Sequence, residues 1–382
     1  MKARPNPRTR AVAPLYPAYT YTRPTPRYLG GTEPEAVDRI AQMGRDIDAA
    51  FRTMPPSYVC ESRDVRINGD IIHFHEEGQL RILYETCRFN DAPSAEGSRA
   101  YDPRVDEWPN ESGVYLHLAS VGSHNYGHWL TDDLPRLRAF YVLRHIYPNR
   151  TITIVTPSYN ITIDEVRLRT IRLFLGWDTD WHVLFLNREK VYGFNLLYHA
   201  TPCCYQPVAK SPAAIGSVRH LLRRNTSVAR RRALMERMKT APLDTLRGAG
   251  RRIFIDRQPF RGRAIVNRAE IMAILQKRGF EILDPETMSP TEQVVRFAYA
   301  NVVVGIMGAA MTNTIFCRPG TRVVHLSPDA TGWPDPFFYD LASVCDHRYA
   351  AIYGQWIPSD EPSRLWNFTL DPDLLEEALR RV

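Results

Sequence analysis

"NVVVGIMGAAMTNTIFCRPGTRVVHLS", residues 301–327, sets two short apolar runs on either side of a stretch of small residues. "NVVVGI" and "TRVVHLS" are β-branched and do not alternate with polar residues, as expected of strands buried on both faces of a parallel sheet. "GAAMTNTIFC" between them reads as a helix entered through Gly308. Working outward, "RRIFIDR" (251–257) is a strand and "NRAEIMAILQKRGF" (267–280) a helix that ends near Gly279. "EILDPE" is a strand, and "SPTEQVVRFAYA" (289–300) a helix with Ser289 as N-cap and Glu292 at capping-box distance. The run is β-α-β-α-β-α-β, which predicts a parallel sheet covered on both faces, with ligands outside the carboxyl ends of its strands. Gly308, Ala309 and Ala310 let a ligand approach the backbone, and a helix start suits a phosphate. The spacing is neither a dinucleotide fingerprint nor a Walker loop, and no lysine lies in the turn, which disfavours nucleotide hydrolysis. The plainer reading is tight strand–helix packing by small residues.

Upstream, "SHNYGHWLTDDLPRL" (123–137) places His124, His128 and Asp132 at successive i, i+4 steps. On a helix those side chains share one face. Three readings follow: a metal site of two histidines and a carboxylate, a general-base site, or a buried polar knot. The Gly- and Asn-rich lead-in makes His124 an insecure member of any helix. Asp133 points about 100° away from Asp132 on a helix, and Pro135 kinks or starts one. "VRINGDIIHF" and "LRILYE" read as strands with "NGD" as a turn, "GVYLHLAS" (113–120) and "TITIVTP" (151–157) as strands, 162–176 as a helix, and "HVLFLN" and "VYGFNLLYH" as strands. "WDTDW" (177–181) contains Asp-x-Asp, a metal–diphosphate signature that also arises by chance.

The chain has 382 residues, 44% hydrophobic and 24% charged, with a net charge of +7 and six cysteines without paired spacing. That is the composition of a globular protein large enough for two domains. No apolar stretch reaches the roughly 20 residues of a membrane span, and the first 30 residues, with six prolines, lack the apolar core of a secretory signal. The expected location is cytoplasmic, peripherally at an inner membrane. Residues 1–30 are expected as an extended arm, 31–210 as an N-terminal α/β domain with helical spacing over 35–53, 211–250 as a basic helical linker, 251–350 as a Rossmann-like domain and 351–382 as an extension packing back. The basic segment "SVRHLLRRNTSVARRRALMERMKT" (217–240) is a solvated helix or attracts an anionic membrane surface, a lipid-linked phosphate or an acidic polysaccharide. Nucleic acid is not expected, since no aromatic-basic module is visible.

Two blocks of this sequence resemble glycosyltransferase family 61. "RRIFIDRQPFRGRAIVN…GFEILDPETMSPTEQVVRFAYANVVVGIMGAAMTNTIFCRPGTRVVHLSP" looks like the family's C-terminal half. "NYGHWLTDDLPRL" looks like its other signature. The resemblance, to a bacterial capsule-type member, implies an α/β protein of GT-B architecture, with two Rossmann-like domains whose parallel sheets face a cleft. It implies a nucleotide-sugar donor, inversion at the anomeric carbon and no other cofactor. Carried over residue by residue, it implies Asp132 and His128 as catalytic. It implies Asn125, Tyr126 and Trp129 for the acceptor. For the donor it implies Arg257, Arg263, Asn267, Glu292, Gln293, Gly308, Ala309, Thr312 and Asn313. Members commonly carry His where this chain has Met307, and Glu where it has Arg268. Sugar transfer needs a base for the acceptor hydroxyl and cations for the leaving diphosphate. Asp132 is the first choice as base with His128 positioning it, and the reverse assignment stays open. Arg257 and Arg263 suit the diphosphate, or are surface ion pairs. The competing functions are a catalytically silent sugar- or nucleotide-binding protein of the same fold and a metal-dependent hydrolase built on His124, His128 and Asp132.

Overall fold

The computed structural model describes residues 8–21, 27–30, 52–76, 79–83, 104–205, 209–237, 252–257, 262–328, 337–360 and 365–381. Most of the helix expected over 35–53, and the end of the basic segment at 238–250, lie outside these residues. The chain divides into two compact units, Met1–Tyr19 with Thr53–Leu221, and Thr20–Arg52 with Leu222–Val382.

The first unit is built on eight strands: β1 (Thr9–Tyr16), β2 (Ser57–Asn68), β3 (Ile71–Glu76), β4 (Gln79–Ile82), β5 (Val114–His117), β6 (Ile152–Pro157), β7 (Trp181–Leu186) and β8 (Val191–Ala200). Their order is β7-β6-β5-β8-β2-β3-β4, with β1 on β2. β5, β6 and β7 run parallel, whereas β2 pairs antiparallel with β1, β3 and β8. The sheet is therefore mixed, not wholly parallel as expected of a Rossmann-like domain. The reason is local: β2 and β3 are joined by Gly69-Asp70 alone, with Gly69 at φ +58°, and so short a turn joins only antiparallel strands. β1 falls in the stretch expected as an arm. Its Leu15 and Tyr16 are buried.

Helix α1 (Ala139–Ile146) precedes β6 and α2 (Ile161–Leu175) follows it. Helix α3 (Pro212–Arg237) starts the segment expected as a linker, but Ala214, Ile215, Val218 and Leu222 along it are enclosed. Their spacing makes one apolar stripe, so these turns belong to a core. The division between the units falls inside this helix.

In the second unit β9 (Arg252–Ile255), β10 (Glu281–Leu283), β11 (Val302–Ile306), β12 (Arg322–Pro328) and β13 (Arg348–Ile357) form a parallel sheet in the order β10-β9-β11-β12-β13. The strand Arg27–Gly30 adds parallel to β13, and β14 (Asn367–Thr369) pairs antiparallel with it. Val302, Val304, Ile306, Val324, Leu326 and Ile352 face Ile271 and Leu275 of α4 (Arg268–Lys277) and Leu375 of α7 (Pro372–Arg381). Successive strand residues alternate faces, so Val303, Gly305 and Val323 face the other way. There lie α5 (Pro290–Ala298), α6 (Phe337–Val344) and a 3-10 helix, Ala309–Phe316. The segment "GAAMTNTIFC" is thus 3-10 and not α-helical. It packs tightly: a Cβ on Gly305 would lie 2.2 Å from Met311 Sδ. Ser289 and Glu292 make the expected capping box. No helix among the described residues is long and apolar enough to cross a membrane.

Burial holds four core histidines neutral. His117, His199 and His325 are pushed down to about 3 and His73 to about 4, with Arg136, Arg263 and Arg66 adding to the effect. An unfolded histidine takes a proton near pH 6.5. Below that value the unfolded chain binds protons that the folded chain refuses, so stability falls as pH falls from about 6.5 toward 3, by about 1.4 kcal/mol per unit for each such group. Calorimetric melting should show a Tm that drops steadily over this window. A Tm independent of pH there contradicts neutral core histidines.

Candidate functional site

The three parallel strands β5, β6 and β7 end at one edge of the first unit, and the helical run 126–146 leaves β5 there. Asn125 caps its start, accepting from the Gly127 amide at 2.8 Å. Trp129–Asp133 is a π-helical turn in which the Leu134 amide reaches back to the Trp129 carbonyl. Leu134–Arg138 is 3-10, with Pro135 near its start. Pro135 has no N–H to give, so the α-ladder cannot run through it, and the wide turn takes up the difference.

His128 and Asp132 come together across this turn. His128 Nδ1 lies 3.1 Å from Asp132 Oδ2; the His128 side chain is 30% exposed and that of Asp132 is 0% exposed. The other carboxylate oxygen accepts from the Thr131 hydroxyl at 2.8 Å. A buried carboxylate on Nδ1 orients an imidazole and fixes its tautomer. Asp133 is also enclosed, accepting from Ser120 and Ser123 at 2.7 and 2.6 Å. Desolvation pushes its carboxyl pKa up. Asp133 is the polar knot of this segment.

The remaining first-unit candidates scatter. His124 is exposed and precedes the cap, off the helical face of His128 and Asp132. Its ring stands edge-on to Tyr159. Among the described residues no group of three or more His, Cys, Asp or Glu is placed to hold a metal ion. Tyr126 is half-buried, its phenol pKa raised by desolvation. Trp129, expected to offer a face to a sugar, is fully enclosed. Its Nε1 donates to Thr170 at 2.8 Å, and the Arg167 guanidinium covers its ring at 4.8 Å. Asp178 of "WDTDW" takes a two-nitrogen grip from Arg144 at 3.2 and 3.1 Å and closes a turn on the Asp180 amide.

In the second unit the sheet order reverses between β9 and β11. In such sheets the ligand crevice lies outside the carboxyl ends of that pair. Arg257 follows β9 and Gly308 follows β11, and the two meet: a Cβ on Gly308 would lie 2.6 Å from Arg257 Nη1. Arg257 Nε donates to the Gly262 carbonyl at 2.7 Å, which fixes the stem. Met307, Gly308, Ala309 and Ala310 are partly exposed. Ser327 Oγ approaches Met307 Sδ at 3.4 Å. Arg268 pairs with Asp256, beside Arg257.

The other donor candidates hold structure. Gln293 donates to the Pro285 and Met288 carbonyls and accepts from Asn313 at 2.7 Å, which ties α5 to the 3-10 helix. Thr312 and Asn313 are fully enclosed. Asn267 grips the backbone of Leu370 through both amide atoms. Glu292 serves its capping box, and the Ser289 hydroxyl and amide hold its pKa below the usual carboxylate range. Arg263 sits at φ +58° after Gly262, where a Cβ would strike the Leu365 carbonyl at 2.4 Å.

Sequence reading missed Tyr159, Arg167 and Arg188, which gather beside the helical run. The available signal was position: Tyr159 and Arg188 each stand two residues past a parallel strand's carboxyl end.

The family model described as Glycosyltransferase 61 matches residues 126–324, which include His128, Asp132, Arg257 and Gly308 and make up just over half of the 382 residues. The chain belongs to glycosyltransferase family 61, a family of sugar transferases. Over 80 residues it is 31% identical to the xylan glycosyltransferase MUCI21 of Arabidopsis thaliana, a stretch that covers 20% of this chain and 16% of that protein.

Proposed function

We propose that the protein is an inverting glycosyltransferase that moves a sugar from a nucleotide-sugar donor to a glycan, polysaccharide or lipid-linked acceptor, without a resident metal ion. The observation that carries this reading is the Arg257 guanidinium laid against the Gly308 turn at the switch point of a doubly wound sheet. A diphosphate seated there meets a cation beside the bare backbone of a glycine. The proton of the acceptor hydroxyl goes to His128 Nε2, since Nδ1 faces the buried Asp132. Burial favours this order over Asp132 as base, because a fully enclosed carboxylate does not meet an acceptor while the partly exposed imidazole can. The acceptor oxygen bonds to the anomeric carbon from the face opposite the diphosphate. The bond to the phosphate oxygen breaks, and Arg257 stabilises the departing charge. The net charge of +7 supports an anionic polymer or surface as partner.

Release of nucleoside diphosphate from a panel of UDP-, GDP-, CMP- and dTDP-sugars tests the reading, with the anomeric configuration of the product read by NMR. The likeness to a xylan glycosyltransferase of Arabidopsis thaliana makes xylan oligosaccharides the first acceptors to try. Retention of configuration, or no release from any donor, overturns the reading. Exhaustive chelation is expected to leave transfer running, because Arg144 occupies the Asp178 carboxylate and His124 stands off the His128–Asp132 face. Loss of transfer that a divalent ion restores reinstates a metal role.

A further inference from the structure

Strands β6 and β7 end in register, Pro157 beside Leu186, and two residues beyond each end stand Tyr159 and Arg188. The Tyr159 hydroxyl donates to Asp70 Oδ1 at 2.6 Å, and Arg188 Nε lies 3.6 Å from the same oxygen. The Arg188 guanidinium carbon sits 4.8 Å over the Tyr159 ring. Arg167 stacks on the same ring at 5.1 Å and on Trp129, the neighbour of His128, at 4.8 Å. Exposed His124 stands edge-on to Tyr159 at 5.7 Å between ring centres. The Arg188 side chain is 36% exposed and that of Asp70 only 10%. No described residue accepts a hydrogen bond from the terminal nitrogens of Arg188.

We propose that Arg188, held by Tyr159 and Asp70, is an acceptor subsite for an acidic sugar, one bearing a carboxylate or a phosphate ester. The proposal rests on the reading of the chain as a glycosyltransferase. A structural ion pair would use the fork of Arg188; here only Nε leans on Asp70, at 3.6 Å, while the guanidinium lies over the Tyr159 ring. A planar pair of N–H donors matches the two oxygens of a carboxylate or phosphate. Stacking on Tyr159 has already ordered the side chain, so little conformational freedom remains to be lost on binding. Asp164 is taken by Arg167, and Asp70 accepts from Tyr159 while meeting Arg188 only through Nε.

The test is calorimetric binding of a glucuronic-acid oligosaccharide, its carboxyl-reduced counterpart and a sugar phosphate to the full chain. The acid-bearing ligand is expected to bind at least about tenfold more tightly than the reduced one, with an affinity that falls as salt rises. Arg188→Gln should erase the difference and Arg188→Lys should keep part of it. The carboxylated and phosphorylated ligands, compared with each other, identify which acid the site takes. Equal affinity for the acidic and reduced sugars overturns the proposal on the wild-type protein alone, whatever the variants do. Diphosphate release from the donor is followed in parallel. A chain that transfers sugar without preferring acidic acceptors loses this inference only, and one that releases no diphosphate loses the transferase reading.

Discussion

Replacing His128 by Gln is expected to lower kcat by about 10²–10⁴-fold, the range of general-base assistance, while donor affinity and Tm stay near wild type. The side chain is partly exposed, and the Gln amide keeps a donor for Asp132. Asp132→Asn should also reduce kcat. The amide offers Nδ1 a donor as readily as an acceptor, so the ring loses its fixed tautomer. The two variants separate the two orders of the pair. If Asp132 were the base, Asp132→Asn would abolish transfer and His128→Gln would retain most of it. An Asp132→Asn protein that is stable and transfers sugar at the wild-type rate removes the carboxylate from the mechanism.

Gly308→Ala is expected to weaken donor binding about as much as Arg257→Ala does. Removal of a charge-assisted hydrogen bond costs on the order of 1.5–3 kcal/mol, roughly 10–100-fold in affinity. Gly308 has φ 167°, an extended conformation open to any residue, so the fold has no objection to alanine. The objection is local: the new methyl would lie 2.6 Å from Arg257 Nη1 and must push the guanidinium away. Because both substitutions act through one guanidinium, the double variant should bind donor no worse than Arg257→Ala alone, a non-additivity that a thermodynamic cycle measures. Wild-type donor affinity in Gly308→Ala, or full additivity, sinks the shared site.

The repeated strand–helix texture of residues 251–327 was enough to predict the parallel sheet of the second unit. Each strand there is a local apolar run, and each helix carries its own start and stop signals, down to the Ser289–Glu292 box. In the first unit a similar run of strands and helices forms a mixed sheet instead. The Gly69-Asp70 turn was visible, but its consequence, an antiparallel half-sheet that also takes in β1, depends on which distant strands pair.

For the site, the i, i+4 spacing alone brought His128 to Asp132, because helical periodicity is a property of a few adjacent residues. Arg257 and Gly308 were expected from the family resemblance and from their places at the ends of recognisable strands. Only the tertiary structure decided that Asp132 is enclosed while His128 is partly exposed. It also showed that Trp129 lies under Arg167, that Gln293 and Asn313 satisfy each other, and that Arg188 stacks on Tyr159. Burial and partnership are sums over neighbours drawn from remote parts of the chain, and no window of sequence contains them.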